Sequence, residues 1–119
     1  IISGERINVF NEGKMKRDFT YIDDIVSGVV SSIKKNYDFE IFNLGNNKPE
    51  DLMDVVSMIE EKIGRKALIN FEPMQMGDVK MTYADIEKSK SKLSYTPKTN
   101  VADGVGKFID WYIDYAKQG

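Results

Sequence analysis

The chain contains no cysteine and no histidine. The first absence excludes disulfides and thiolate metal sites. The second excludes imidazole acid–base chemistry and His-ligated zinc. Proline is scarce, and no linker, internal repeat or low-complexity tract interrupts the sequence. No apolar run approaches the roughly 20 residues needed to cross a membrane. No leader pattern is visible at the start, and a cytoplasmic protein is the expectation. An excess of one charge is lacking as well: 17 Lys and Arg face 19 Asp and Glu. Nucleic-acid binders usually carry a basic excess, so neither nucleic acid nor membrane is expected as a partner. What is present is a length suited to one domain, 119 residues with 41% hydrophobic content. A chain of this size buries roughly two-thirds of its unfolded surface, enough for one core. It begins at Ile1 without a methionine, already patterned like a structured segment, and reads as a piece of something longer.

Strand and helix signals alternate. "RINVFN", Arg6 to Asn11, reads as a short strand, and "EGK" turns the chain. From Asp23 or Asp24 to Asn36 the pattern is helical, with Ile25, Val26, Val29, Val30 and Ile33 on one stripe. The two aspartates sit where an N-cap belongs and favour the positive end of the helix dipole. "FEIFNLG", Phe39 to Gly45, is expected as a buried strand. Asp51 opens a second helix, with Gly64 as its C-cap. "KALINF", Lys66 to Phe71, is a third strand, and a polar loop follows. Asp85 is expected to cap a short helix to about Leu93, and Asn100 a last helix with Asp103 in the matching position. Gly106 lies inside that last helix for no visible reason. Strands alternating with about four helices give an α/β class.

One stretch is not explained by folding alone. "GKMKRDFTYIDDI", Gly13 to Ile25, sets three cations just ahead of a helix start. Its right half is a helix beginning. Arg17 in its left half has no such excuse. A metal site at Asp23 and Asp24 lacks a third ligand, so capping is favoured. The run "KSKSK", Lys88 to Lys92, reads as a solvated helix face.

"RDFTYIDDI", then "IFNLGNNKPEDLMDVVSMIE", then "GDVKMTYADIEKSKSKLSYTPKT" together resemble the C-terminal part of an extended short-chain dehydrogenase/reductase. Within that family the chain resembles NAD-dependent nucleotide-sugar epimerases, especially the bacterial UDP-glucuronate 4-epimerases of capsule and lipopolysaccharide pathways. The resemblance covers essentially the whole chain. It implies a single C-terminal substrate-binding domain over residues 1–119, with the NAD-binding Rossmann domain lying upstream. In that family NAD takes a hydride from C4 of the sugar, and the hydride returns to the other face. The family uses a Gly-rich turn and a Tyr-x-x-x-Lys pair, and neither is in this sequence. "DGVG", Asp103 to Gly106, lacks the glycine spacing of a dinucleotide fingerprint. No residue here is therefore expected to be catalytic or to hold NAD or a metal. The fragment alone is expected to be inactive and to bind UDP weakly.

The resemblance also assigns ligand contacts. Arg17 matches the arginine that pairs the UDP diphosphate, for which a planar guanidinium is suited. The rival reading is a surface arginine paired with Asp18. Val9 would offer main-chain groups to the uracil edge and Phe10 a packing surface; the rival reading of both is edge-strand core. Asp78 matches the ribose-binding aspartate, although an aspartate after Gly77 also suits a turn. Gln75 stands where many relatives carry a second phosphate-binding arginine, and a glutamine there resembles the glucuronate enzymes. Asp18, Phe19 and Tyr21 are expected to fix where Arg17 points. Met74, Met76 and Met81 flank the uridine loop and could line it. The implied partners are a UDP-sugar, the upstream Rossmann domain and a second subunit of the parent. Other readings are a related dehydratase or decarboxylase, a stand-alone nucleotide- or protein-binding module, and a structural interaction protein.

Overall fold

The computed structural model describes residues 1–117. Strand β1 (Arg6–Phe10) runs through a short 3-10 turn, Asn11–Gly13, into a two-residue strand β2 (Lys16–Arg17). Helix α1 (Ile22–Lys35), strand β3 (Glu50–Asp51), helix α2 (Leu52–Ile63) and strand β4 (Leu68–Glu72) follow. Helices α3 (Glu87–Leu93) and α4 (Val101–Ala116) complete the order. Four helices with few strands make an α/β fold, as the alternation of signals implied.

The strands form two small ladders. β1 pairs with β4 in parallel, from Arg6 opposite Leu68 to Phe10 opposite Glu72. Parallel neighbours require a crossover, and α2 lies within it. β2 pairs antiparallel with β3, with Lys16 opposite Asp51 and Arg17 opposite Glu50. On its other side Lys16 bridges Met81, accepting from Thr82 N and donating to Lys80 O. β2 is thus short but held from both sides.

One apolar cluster and a further set of buried residues result. Ile86, Leu93 and Tyr95 are buried together under Phe42, Leu44 and Ala84. Val9, Met15, Val55, Val56 and Ile109 are buried as well. Close approaches depend on glycine at several places, Gly28 and Gly13 among them. A Cβ at Gly28 would stand 2.5 Å from Leu44, so this residue lets the 42–44 segment lie against α1. Gly13 adopts φ +76, and a Cβ there would meet Met53 at 2.6 Å.

Helix ends follow the expected chemistry unevenly. Asn100 Oδ1 accepts from Asp103 N at 2.9 Å while its amide donates to Asp103 Oδ2 at 2.8 Å, a reciprocal cap. Gly64 ends α2 at φ +73, with Gly64 N bonded to Glu61 O and Arg65 N to Glu60 O. That is a Schellman motif. α1, however, starts at Ile22, and neither aspartate caps it. Asp24 is buried, and its carboxylate accepts from Lys98 N and Thr99 N, both at 3.0 Å. It joins α1 to the entry of α4. Asp85 precedes Ile86, the N-cap of α3, yet its Oδ1 does accept from Glu87 N at 3.0 Å.

One expectation fails, and one apolar helix face is left uncovered, for a common reason. Phe39–Gly45 is not a strand. Phe42 and Leu44 face the core while Phe39 and Ile41 are exposed, so the alternation of a strand is present without a neighbouring strand. Side chains hold the segment instead: Ser89 Oγ donates to Asn43 O, and Tyr95 OH donates to Gly45 O at 2.9 Å. Likewise the stripe of α1 points outward, with Val26, Val29, Val30 and Ile33 exposed. The opposite face, at Asp24 and Gly28, is the buried one. Periodicity identifies an apolar face but not what covers it.

No helix among the described residues is long and apolar enough to cross a membrane.

Candidate functional site

Arg17 closes β2, and the residue after it determines its setting. The Asp18 carboxylate accepts four main-chain N–H groups: Asn46 at 3.1 Å, Asn47 at 3.0 Å, Lys48 at 3.4 Å and Ala84 at 3.0 Å. One anion thereby ties together the end of β2, the 46–48 turn and the approach to α3. The backbone next to Arg17 has little freedom as a result.

The Arg17 guanidinium is held at two points. Nη1 donates to Lys16 O at 2.8 Å and Nη2 to Asp78 Oδ1 at 2.7 Å. A guanidinium has five N–H donors, so three are left for a ligand. The two side chains are 26% and 30% exposed, in reach of solvent yet oriented by the fold. The surface pairing with Asp18 does not occur, because Asp18 is occupied by main-chain donors.

Asp78 sits in a turn built for it. Its N–H donates to Gln75 O at 3.2 Å, and Gly77 takes φ +84 between them. Oδ1 also accepts Val79 N at 2.8 Å. The turn reading of Asp78 is met, and its carboxylate also stands beside Arg17. Gln75 heads the same turn and is exposed.

The remaining candidates are placed nearby along the chain. Val9 is 4% exposed, and its side chain lies in the core beside Gly13, so only its main chain could address a ligand. Phe10 is half-buried at the end of β1, opposite Glu72. The turn at Asn11–Gly13 leads directly from these residues to β2. Met76 is fully exposed and Met81 half-exposed beside the turn, while Met15 is buried.

Sequence reasoning missed a second charged cluster. Glu40 is bracketed by Lys88 at 2.5 Å and by Lys92. These hydrogen-bonded ammonium groups pull the Glu40 pKa down to about 2, and the carboxylate raises that of Lys92. Lys88 also lies over the Phe42 ring and Lys92 over Tyr37, each 5.3 Å from the centroid. The run taken for a solvated face is therefore half engaged. Two lysines four residues apart were the available signal, since they share a helix face. No group of three potential metal ligands occurs among the described residues.

Residues 1–45 match the model of the NAD dependent epimerase/dehydratase family. An uncharacterized protein of Methanocaldococcus jannaschii is 48% identical, covering 96% of this chain and 35% of that protein. A UDP-glucuronate 4-epimerase of Thermodesulfobacterium geofontis is 38% identical, covering 88% of this chain and 32% of that protein. The solved structure of a UDP-glucuronic acid 4-epimerase from Bacillus cereus, in complex with UDP-glucuronic acid and NAD, matches with a TM-score of 0.83. It is 33% identical and covers 98% of this chain and 37% of that one.

The chain belongs to the NAD-dependent epimerase/dehydratase family. Its architecture matches a C-terminal piece of such an extended short-chain dehydrogenase/reductase, and it spans under two-fifths of the length of these relatives. This epimerase-family chain is similar in sequence to UDP-glucuronate 4-epimerases.

Proposed function

We propose that this chain is the substrate-binding part of an NAD-dependent nucleotide-sugar epimerase acting on UDP-glucuronate. In this reading Arg17 binds the diphosphate, Asp78 the ribose, and the turn headed by Gln75 closes over the uridine. The main chain of Val9 and the ring of Phe10 complete the base subsite. The single observation that carries the reading is the Arg17 guanidinium, fixed by Lys16 O and Asp78 with three donors left over. A pre-oriented cation of this kind grips a diphosphate without losing much side-chain entropy on binding.

Binding energy far from the reacting carbon anchors the sugar nucleotide while its hexose changes configuration. The residues present do not fit a nicotinamide cofactor. β1 leads into Asn11–Gly13 and not into a Gly-rich turn with a helix behind it, and no tyrosine is followed by lysine four residues later. The hydride and proton steps are therefore assigned to a cofactor domain of the whole protein. The exposed face of α1 and the unpaired Phe39–Ile41 segment are the surfaces on which that domain would rest.

Arg17→Ala in the whole protein tests the reading. Losing charge-assisted bonds worth about 1.5–3 kcal/mol should raise KM for the UDP-sugar about ten- to hundredfold. Unchanged KM would remove Arg17 from the site.

A further inference from the structure

The Asp18 carboxylate gathers the amides of Asn46, Asn47 and Lys48. It can do so only if the first of these peptides is turned toward it, and Tyr95 turns it. Tyr95 is 2% exposed, and its hydroxyl donates to Gly45 O at 2.9 Å. The Asn46 N–H belongs to the same peptide group and donates to Asp18 Oδ1 at 3.1 Å. In a planar trans peptide the C=O and the N–H point to opposite sides. Tyr95 and Asp18 therefore clamp one peptide plane from its two ends. Each bond polarises the shared amide and strengthens the other.

The surrounding backbone is shaped for this clamp. At Gly45 a Cβ would stand 2.8 Å from Asp18 Oδ2 and 2.5 Å from the Ala84 Cβ, so the chain comes as near the carboxylate as a residue without a side chain allows. Asn47 takes φ +55, in keeping with a nest of successive N–H groups aimed at one anion. Ser94 takes φ +57 immediately before Tyr95, a left-handed conformation that costs a non-glycine residue free energy. The Tyr95 ring packs with Ile86 and Leu93, so its hydroxyl works from a rigid base.

We infer that Tyr95 is a positioning residue for the diphosphate subsite: its hydroxyl orients the 45–46 peptide, that peptide fixes Asp18, and Asp18 fixes the backbone from which Arg17 extends. The inference rests on the reading above, in which Arg17 binds the diphosphate. Buried beneath the 42–45 segment, Tyr95 acts through Asp18 alone. Phenylalanine would keep the ring in the core, so the hydroxyl separates positioning from packing.

Tyr95→Phe in the whole protein tests this. KM for UDP-glucuronate should rise about three- to tenfold with kcat held within about twofold. The Asn46 amide should exchange with solvent at least about tenfold faster. In an Arg17→Ala background the same change should alter KM by less than about twofold, because its effect passes through Arg17. Ser89→Ala removes another buried hydroxyl from this segment, the donor to Asn43 O. It is the control for lost stability and should lower Tm while KM stays within about twofold. An unchanged KM or unchanged Asn46 exchange in Tyr95→Phe would overturn the inference. So would a KM rise shared by Ser89→Ala, which would follow from destabilisation, or a Tyr95→Phe effect that persists in full without Arg17. If Arg17→Ala alone leaves KM unchanged, the functional reading fails, and faster Asn46 exchange in Tyr95→Phe then upholds the clamp without a role in binding.

Discussion

Asp18 illustrates how much one carboxylate does here. It gathers four main-chain donors from two distant segments. Asp18→Ala would leave those donors without their acceptor and should cost about 2–3 kcal/mol, read as a lower urea midpoint. A loss below about 0.5 kcal/mol would show that water replaces it. Glu40 predicts a pH effect. Its folded pKa of about 2 lies below the ordinary 4.5 because Lys88 and Lys92 bond its charged form. A depressed pKa contributes stability above the ordinary carboxylate value and loses it as pH falls through the folded one. Glu40→Gln should therefore narrow its stability difference from the parent sequence between about pH 4.5 and 2, followed by urea midpoints. A difference that stays constant over that window would disprove the linkage. What was legible at this scale was residue type. An arginine and an aspartate assigned to one ligand prove to touch one another, whereas the partners of Asp18 and Asp24 are main-chain groups, which no side-chain pattern encodes.

Among the elements, α4 and α2 were readable because their ends are set by local chemistry: Asn100 with Asp103, and Gly64 in the left-handed region. The Phe39–Gly45 segment and the outward stripe of α1 were not, because pairing and burial depend on partners distant in sequence or outside it. Glycines inside helices separate in the same way. Gly28 abuts Leu44 at 2.5 Å, so Gly28→Ala should destabilise by about 1–3 kcal/mol through overpacking. Gly106 has nothing within 4 Å of its would-be Cβ, and Gly106→Ala should stabilise by up to about 1 kcal/mol. Thermal melts of the two variants should move in opposite directions. A fall in Tm for Gly106→Ala would point to a contact made only in the whole protein.

Over the whole molecule, the uncovered apolar surface is the dominant property. Ile33 on α1 is 71% exposed and Phe39, beyond its end, 84%. Large exposed apolar patches mark interfaces or promote association. The isolated chain should scatter light as oligomers at high concentration, and Ile33→Lys with Phe39→Ser should reduce this while changing stability by less than about 0.5 kcal/mol each. A monodisperse monomer of the unmodified chain would contradict the idea that these faces await a cover.

The pairing of β1 with β4 has a kinetic corollary. Asn8 and Asn70 face each other across 62 positions, and Asp24 reaches Lys98 across 74. No hairpin can seed such a ladder. The chain must close long loops before the contacts that reward closure exist, and high contact order slows folding accordingly. During that interval the strand edges stand open to other molecules. Refolding should thus be slower than for a helical bundle of equal length, and its yield should fall as protein concentration rises.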